Sequence, residues 1–139
     1  MADTLTSPMH VDIITPDGPI YSEDGVQMVV ARATDGEFGV LKNHLPMAAA
    51  LVVDPVRIKT KDGETKIAVF GGFLEMQDNT VSIVAPLAEL AETIDVARAQ
   101  AAKKRAEERL ASKGADIDID RAKLALRRAL VRLQVAGKL

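Results

Sequence analysis

The chain has 139 residues, 47% of them hydrophobic, and a formal net charge of −2, which suits one medium domain or a small domain with an appendage. Trp is absent and the only aromatic side chains are Tyr21, Phe38, Phe70 and Phe73, so the core must be aliphatic; zero cysteines exclude a disulfide framework, a thiolate metal site and a cysteine nucleophile. The start MADTLTSPMH has neither a basic cluster nor an apolar run, and no stretch approaches the roughly 20 apolar residues of a bilayer span, so a soluble cytoplasmic protein is expected, any membrane association being indirect.

The near-neutral total conceals two unlike parts. Residues 1–94 carry 6 Lys+Arg against 14 Asp+Glu, and residues 95–139 carry 12 against 6, so a net −8 is joined to a net +6. All six prolines and seven of the nine glycines fall before residue 87. A domain boundary is therefore placed at residue 90, with a β-rich domain over 1–90 and a helical one over 91–139.

From Met9 to Ala85 the chain reads as short antiparallel strands. Val11 and Ile13, then Ile20 and Tyr21, flank a turn at Thr15-Pro16-Asp17-Gly18. Asp35-Gly36 separates Val26 to Ala33 from Phe38 to Leu41. Val56-Arg57-Ile58-Lys59 alternates apolar and charged residues like a strand with one wet face. The following Asp62-Gly63 predicts a type I′ turn before a return strand at Ile67 to Phe70. Gly71-Gly72 reads as a bulge or sharp bend where a side chain would be in the way, and Asp78-Asn79 as the turn between Phe73 to Met76 and Val81 to Val84. About ten short strands are too many for one open sheet in so short a stretch, so a two-sheet antiparallel sandwich or flattened barrel is expected.

Beyond Pro86 two helices are predicted, over Asp95 to about Ser112 and about Asp118 to Ala136, built of Ala, Leu, Arg, Lys and Glu. Gly114 is placed to end the first in the left-handed conformation. One of Asp116, Asp118 and Asp120 caps the second. Ala99, Ala102, Ala106 and Leu110 on the first helix, and Ala122, Leu126, Ala129, Leu130 and Leu133 on the second, form stripes that pair as an antiparallel hairpin. An alanine seam buries little, so the hairpin should open easily, and the fold class is α+β: a β-sandwich followed by a two-helix hairpin.

The chemistry concentrates at Ile94-Asp95-Val96-Ala97-Arg98-Ala99. Asp95 can cap the first helix and Arg98 can be a surface residue of its first turn. Arg98 and Arg105, seven apart, share one helix face, and Arg128 and Arg132 share another. Folded together, the four guanidiniums could converge on a polyanion, their planar forks suiting phosphate. No Walker-type glycine loop accompanies them, so phosphoryl transfer is not expected. His10 and His44 lack ligand-spaced companions, and no metal site is expected. A nucleic-acid reading of the basic hairpin, as a free-standing adaptor or binding module, is opposed by six interleaved acidic residues and the absence of aromatics for stacking.

The stretches Val11 to Pro19, Gly36 to Pro46 and Gly71 to Glu75, the hexapeptide from Ile94 and the helical tail together resemble the epsilon subunit of bacterial rotary, proton-translocating ATP synthases. The resemblance implies a non-catalytic subunit, peripheral at the cytoplasmic face of the plasma membrane. Its sandwich would dock on the gamma subunit and the c-subunit ring, with His44 in the docking loop, and help couple rotation to proton flow. Its hairpin would lie folded, or extend into the catalytic head and block ATP hydrolysis, with Arg105, Arg109, Arg121, Arg127, Arg128 and Arg132 as candidates to meet an acidic segment of the beta subunit. It also implies ATP as a regulatory ligand of the folded hairpin, with no cofactor required, held by Glu89, Ile94, Asp95, Arg98, Ala99, Arg105, Arg128 and Arg132. Met1 to Pro8 then reads as a variable terminus.

Overall fold

The computed structural model describes residues 7–112 and 114–139; most of the expected variable terminus, over residues 1–6, lies outside the described residues. Among the described residues nine strands precede two helices: β1 (Met9–Thr15), β2 (Gly18–Ala33), β3 (Gly36–Leu41), β4 (Met47–Ala50), β5 (Val53–Thr60), β6 (Gly63–Phe70), β7 (Phe73–Gln77), β8 (Thr80–Val84), β9 (Ala88–Leu90), a 3-10 turn (Ala91–Thr93), α1 (Val96–Ala111) and α2 (Ile119–Val135).

The sixteen-residue β2 makes the sandwich. Its first half pairs with β1, its second half with β5 and β3, and the register shifts near Val26 on both sides. One layer therefore runs β4-β7-β8-β1-β2, and the other runs from β2 through β5 and β6 to β9, with β3 beside β2. Period-two alternation sends Val11, Ile13, Leu74, Met76, Val81 and Ile83 inward from the first layer, and Val29, Val40, Val56, Ile58, Ile67 and Val69 from the second. Each is worth roughly 1.5–3 kcal/mol when fully buried, so the two inner faces hold the layers together.

Two turns separate local rules that look alike in sequence. At Lys61-Asp62 both residues keep negative φ and the positive value passes to Gly63 (φ 140), so the expected type I′ turn is not formed there. Its conformation occurs instead at Asp78-Asn79 (φ 50 and 57), where short polar side chains tolerate left-handed backbone. Asn79 is pinned as well: its Oδ1 accepts the Asn43 amide at 2.7 Å and its Nδ2 donates to the carbonyls of Ser7 and Pro8 at 3.1 and 3.2 Å. The bend at Gly71-Gly72 is as expected. Gly72 has φ 97, and a Cβ there would stand 2.1 Å from the Val84 carbonyl oxygen, a contact that only glycine avoids.

Both helices begin in the same way. Asp95 and Asp118, extended at φ −81, accept the amides of Arg98 and Arg121 at 3.0 and 3.1 Å. The first helix ends differently from the expectation: Ser112 is extended, and Gly114 does not have positive φ. Ser112 donates its amide back to the carbonyls of Glu108 and Arg109, which closes the last turn without Gly114.

On α2, Ala122, Ala129 and Leu133 form one buried stripe, while Val131 and Val135 form a second. Two residues of offset is about 200° of helix, so the stripes face opposite ways. The first meets α1, where Ala99 and Ala106 are buried; the second packs with Ala68, Phe70 and Ile94 on the outer face of the sandwich. β6 is accordingly buried on both faces over Ile67 to Phe70, which explains its unbroken apolar run.

Candidate functional site

A recess of about 390 Å³ forms where the end of β9, the 3-10 turn, α1 and α2 meet. It is lined by Glu89, Thr93, Asp95, Arg98, Ala99, Ala102, Arg105 and Arg132. Six of these are among the eight residues marked from sequence as the ATP site. Ala102 stands four residues beyond Arg98 and three beyond Ala99, and Arg105 three beyond Ala102, so one side of α1 supplies half the lining. Ala99 and Ala102 leave room there; Arg98 and Arg105 are exposed at its ends.

Arg132 closes the recess from α2. Its Nε and Nη2 donate to the two carboxylate oxygens of Glu89 at 2.8 and 3.2 Å, and its guanidinium lies over the Phe70 ring, 4.6 Å from the centroid. A bidentate carboxylate on one side and an aromatic face on the other hold the fork in one orientation. Three guanidiniums against two carboxylates, Glu89 and Asp95, leave the lining at +1. An entering phosphate would be attracted by Arg98 and Arg105 and would share Arg132 with Glu89.

Two of the marked residues stand elsewhere. Arg128 is exposed one turn N-terminal of Arg132 and outside the lining, so three guanidiniums converge rather than four. Ile94 is buried beneath the site, against Ala68, Phe70, Val131 and Val135, where it anchors the start of α1. Thr93 and Ala102 are lining residues that were not marked as site residues. The signal for Ala102 was its place one turn beyond Arg98; Thr93 has no pattern beyond preceding the hexapeptide.

The other marked basic residues are dispersed. Arg109 and Arg121 flank a small recess near the hairpin turn, with Asp116 and Asp118. Arg127 donates from Nε to the Val53 carbonyl at 3.1 Å and from Nη2 to the Asp54 carboxylate. It lines a larger recess of about 840 Å³ between α2 and the sandwich, together with Arg32, Glu37 and Arg57, whose charges are already paired with one another. His44 is exposed between β3 and β4, donating Nδ1–H to the Leu45 carbonyl at 2.7 Å, beside the exposed side chains of Leu41 and Leu45. Among the described residues no group of three or more His, Cys, Asp or Glu is arranged to hold a metal, and no helix is long and apolar enough to cross a membrane.

The β-sandwich domain of the ATP synthase delta/epsilon chain matches residues 8–91, and the long α-helix domain of the same chain matches residues 92–137. The chain belongs to the ATP synthase delta/epsilon chain family. The ATP synthase epsilon chain of Bacillus subtilis (strain 168) is 54% identical over 131 residues, 94% of this chain and 98% of that one. That of Alkalihalophilus pseudofirmus is 50% identical over 133 residues, 95% and 99% of the two chains. A chain in the structure of the Euglena gracilis mitochondrial ATP synthase, OSCP/F1/c-ring, has the same fold, with a TM-score of 0.79 at 21% identity, covering 99% of this chain and 86% of that one. Family membership makes the chain a non-catalytic subunit of an ATP synthase, of the epsilon type, with a sandwich followed by a helical pair.

Proposed function

We propose that the sandwich is the permanent attachment of this epsilon-type subunit to the central stalk, and that the hairpin is a movable brake on ATP hydrolysis which ATP holds in the folded position. The sandwich would dock on gamma and the c-ring at the cytoplasmic face of the membrane, the loop of Leu41, His44 and Leu45 supplying exposed apolar and polar contacts. Extended, the hairpin would present Arg105, Arg109, Arg121, Arg127, Arg128 and Arg132 to an acidic surface of the beta subunit.

The observation that carries the sensor reading is the convergence of Glu89, Asp95, Arg98, Arg105 and Arg132 from separate elements on one recess. Because α1, α2 and the end of the sandwich all contribute, a ligand there is bound only when the hairpin is folded. Its binding free energy therefore adds directly to the folded state. The seam of Ala99, Ala106, Ala122 and Ala129 leaves small methyl groups to separate, so modest ligand affinity suffices to move the balance. The two carboxylates of the recess are already engaged, Glu89 with Arg132 and Asp95 with the Arg98 amide, which accords with binding rather than hydrolysis.

Calorimetric titration of the full chain with ATP tests this, beside Arg98→Ala and an ADP control. Saturable binding of ATP that Arg98→Ala removes is expected. Absence of binding at millimolar ATP would overturn the sensor and leave regulation to contacts with the stalk and head.

A further inference from the structure

Val131 and Val135 dock α2 on the sandwich, and an ion pair flanks them on each side. At 100° per residue, Arg127 lies about 40° from Val131 in one direction and Arg132 about 60° beyond Val135 in the other. Arg132 belongs to the recess already described. Arg127 does not: its partners Val53 and Asp54 open β5, and it lines the other recess.

We propose that Arg127 and Asp54 form a nucleotide-independent latch that holds the hairpin on the sandwich and masks Arg127 while it does so. The proposal rests on the hairpin being movable, and on nothing about ATP. Three features distinguish this pair from an ordinary surface contact. The Asp54 side chain is only 16% exposed, so water screens the pair less than it would an open one. The guanidinium is fixed at a second point by the Val53 carbonyl, which sets its direction. Finally, Asp54 has a second partner on its own domain.

That second partner makes release cheap for the sandwich. The Arg32 Nε lies 3.4 Å from the other Asp54 oxygen, Arg32 pairs with Glu37 at 3.2 Å, and Arg57 bridges Glu37 at 2.6 Å and Glu64 at 3.6 Å. When α2 leaves, the Asp54 carboxylate keeps Arg32 and is not stranded as an unpaired, largely covered charge, the outcome that makes broken ion pairs costly. Only the Arg127 contact is lost, and its guanidinium is freed for an acidic partner. The two hairpin positions thus compete for one cation, which sharpens the switch between them.

The test uses the full chain without nucleotide, spin-labelled through Asp62→Cys on the β5–β6 turn and Lys123→Cys on α2, both exposed and in a chain with no other cysteine. Pulsed dipolar spectroscopy then reads the open-to-folded ratio. Asp54→Asn and Arg127→Gln should each raise it by about threefold to tenfold, and the double variant by no more than either alone. Arg32→Gln, which spares the latch but takes away the partner that Asp54 keeps on opening, should lower the ratio and not raise it. If Asp54→Asn lowers the sandwich melting temperature, Arg127→Gln carries the test alone, since its side chain lies outside both apolar clusters. Val131→Ala serves as an independent opener. If it opens the hairpin while Arg127→Gln does not, the latch is overturned and the movable hairpin stands. If neither opens it, the movable hairpin falls and the latch with it. ATP titration of Arg127→Gln is a separate arm: with the sensor intact ATP returns that variant to the folded state, and its failure to do so would count against the sensor alone.

Discussion

The two joints of this molecule are made of different materials. Inside the sandwich, Ile13, Ile58, Ile67, Leu74, Met76 and Ile83 are completely covered. Between the helices the covered residues are mainly Ala99, Ala106, Ala122 and Ala129, with Leu133 as the one large side chain. A methyl group removed from water contributes about 0.8 kcal/mol, against roughly 1.5–3 for a branched side chain. The hairpin makes up the difference with Val131, Val135 and two arginine ion pairs at its contact with the sandwich. Large apolar surfaces resist separation in water, whereas ion pairs and small contacts can exchange partners; the first joint is fit for assembly and the second for switching.

The largest expected effect breaks the strong joint. Ile83→Ala leaves a cavity between the layers and should destabilise the protein by about 2–5 kcal/mol, read by chemical denaturation followed through far-UV circular dichroism. Unfolding should remain a loss of the strands and not a release of the helices alone. A loss below about 1 kcal/mol would mean that the inner faces repack more freely than their complete burial implies.

Val131→Ala attacks the weak joint at its most covered point, with 0% of the side chain exposed. Two methyl groups are lost, so a cost of about 1.5–2.5 kcal/mol is expected, and it should appear in a different observable. Amide exchange in α1 and α2 should accelerate by about tenfold or more while exchange in β1, β2 and β8 stays as it was. Equal acceleration in the strands would show the two joints to be one cooperative unit.

The difference between the joints was only half legible in the sequence. Period-two runs such as Val56 to Lys59 marked strands and the inner face because alternation reports burial directly. The helices and the Asp95 cap followed from composition and local hydrogen bonding, whereas the second cap was narrowed only to Asp116, Asp118 and Asp120, of which the structure uses Asp118. β4, made of Met47 and three alanines, carries little alternation and was not called; it is held by β7 through Met47–Met76 and Ala49–Leu74 pairing. The apolar run Ile67 to Phe70 did carry the sign of a second buried face, but what covered it depended on hairpin docking, which no local pattern encodes. For the same reason the share of the recess lining that α1 supplies, Asp95 to Arg105, was legible as a helix face, while the placing of Arg128 outside and Arg127 on Asp54 required the angle at which α2 lies on β5 and β6. The turn at Asp62-Gly63 shows a smaller failure: a dipeptide common in one turn was accommodated in another because Gly63 could take the positive φ alone.

The caps offer a finer comparison, since two aspartates with the same backbone geometry serve helices of different attachment. Replacing either by Ala removes one acceptor for an N-terminal amide and costs about 1 kcal/mol. At Asp118, whose helix is packed on both α1 and the sandwich, the loss should fray the first turn of α2 and leave the hairpin in place. At Asp95, where α1 joins the sandwich and lines the recess, the same loss should also weaken ATP binding by about threefold or more. Nitrogen-15 amide exchange and calorimetry on the two single variants separate these outcomes, and equal effects on ATP binding would remove Asp95 from the site.

The smallest expected effect comes from a polar clasp on the sandwich, remote from the hairpin. His10 on β1 contacts Asp24 at 2.7 Å through Nδ1 and Asp12 at 2.9 Å through Nε2. The hydrogen bond to Asp24, and then that to Asp12, raise the imidazole pKa above its usual 6.5. Asp12 is held below its usual 3.8 by the Ser22 hydroxyl and by His10, against the opposing effect of its own desolvation. The signs follow from linkage. A raised His10 stabilises the fold fully below 6.5 and loses that contribution as pH rises through its folded value; a depressed Asp12 stabilises above 3.8 and loses its contribution as pH falls through its folded value. Asp24 is 93% exposed, so water screens the pair and the effect is small. Melting temperatures between about pH 5 and about pH 8.5 should therefore decline slightly more for the native chain than for His10→Gln. Hairpin opening should show no such difference, because the clasp ties β1 to the first half of β2 while α2 packs on β5 and β6; a matching pH dependence of opening in the native chain, lost in His10→Gln, would show that strain in one layer reaches the helices through the other.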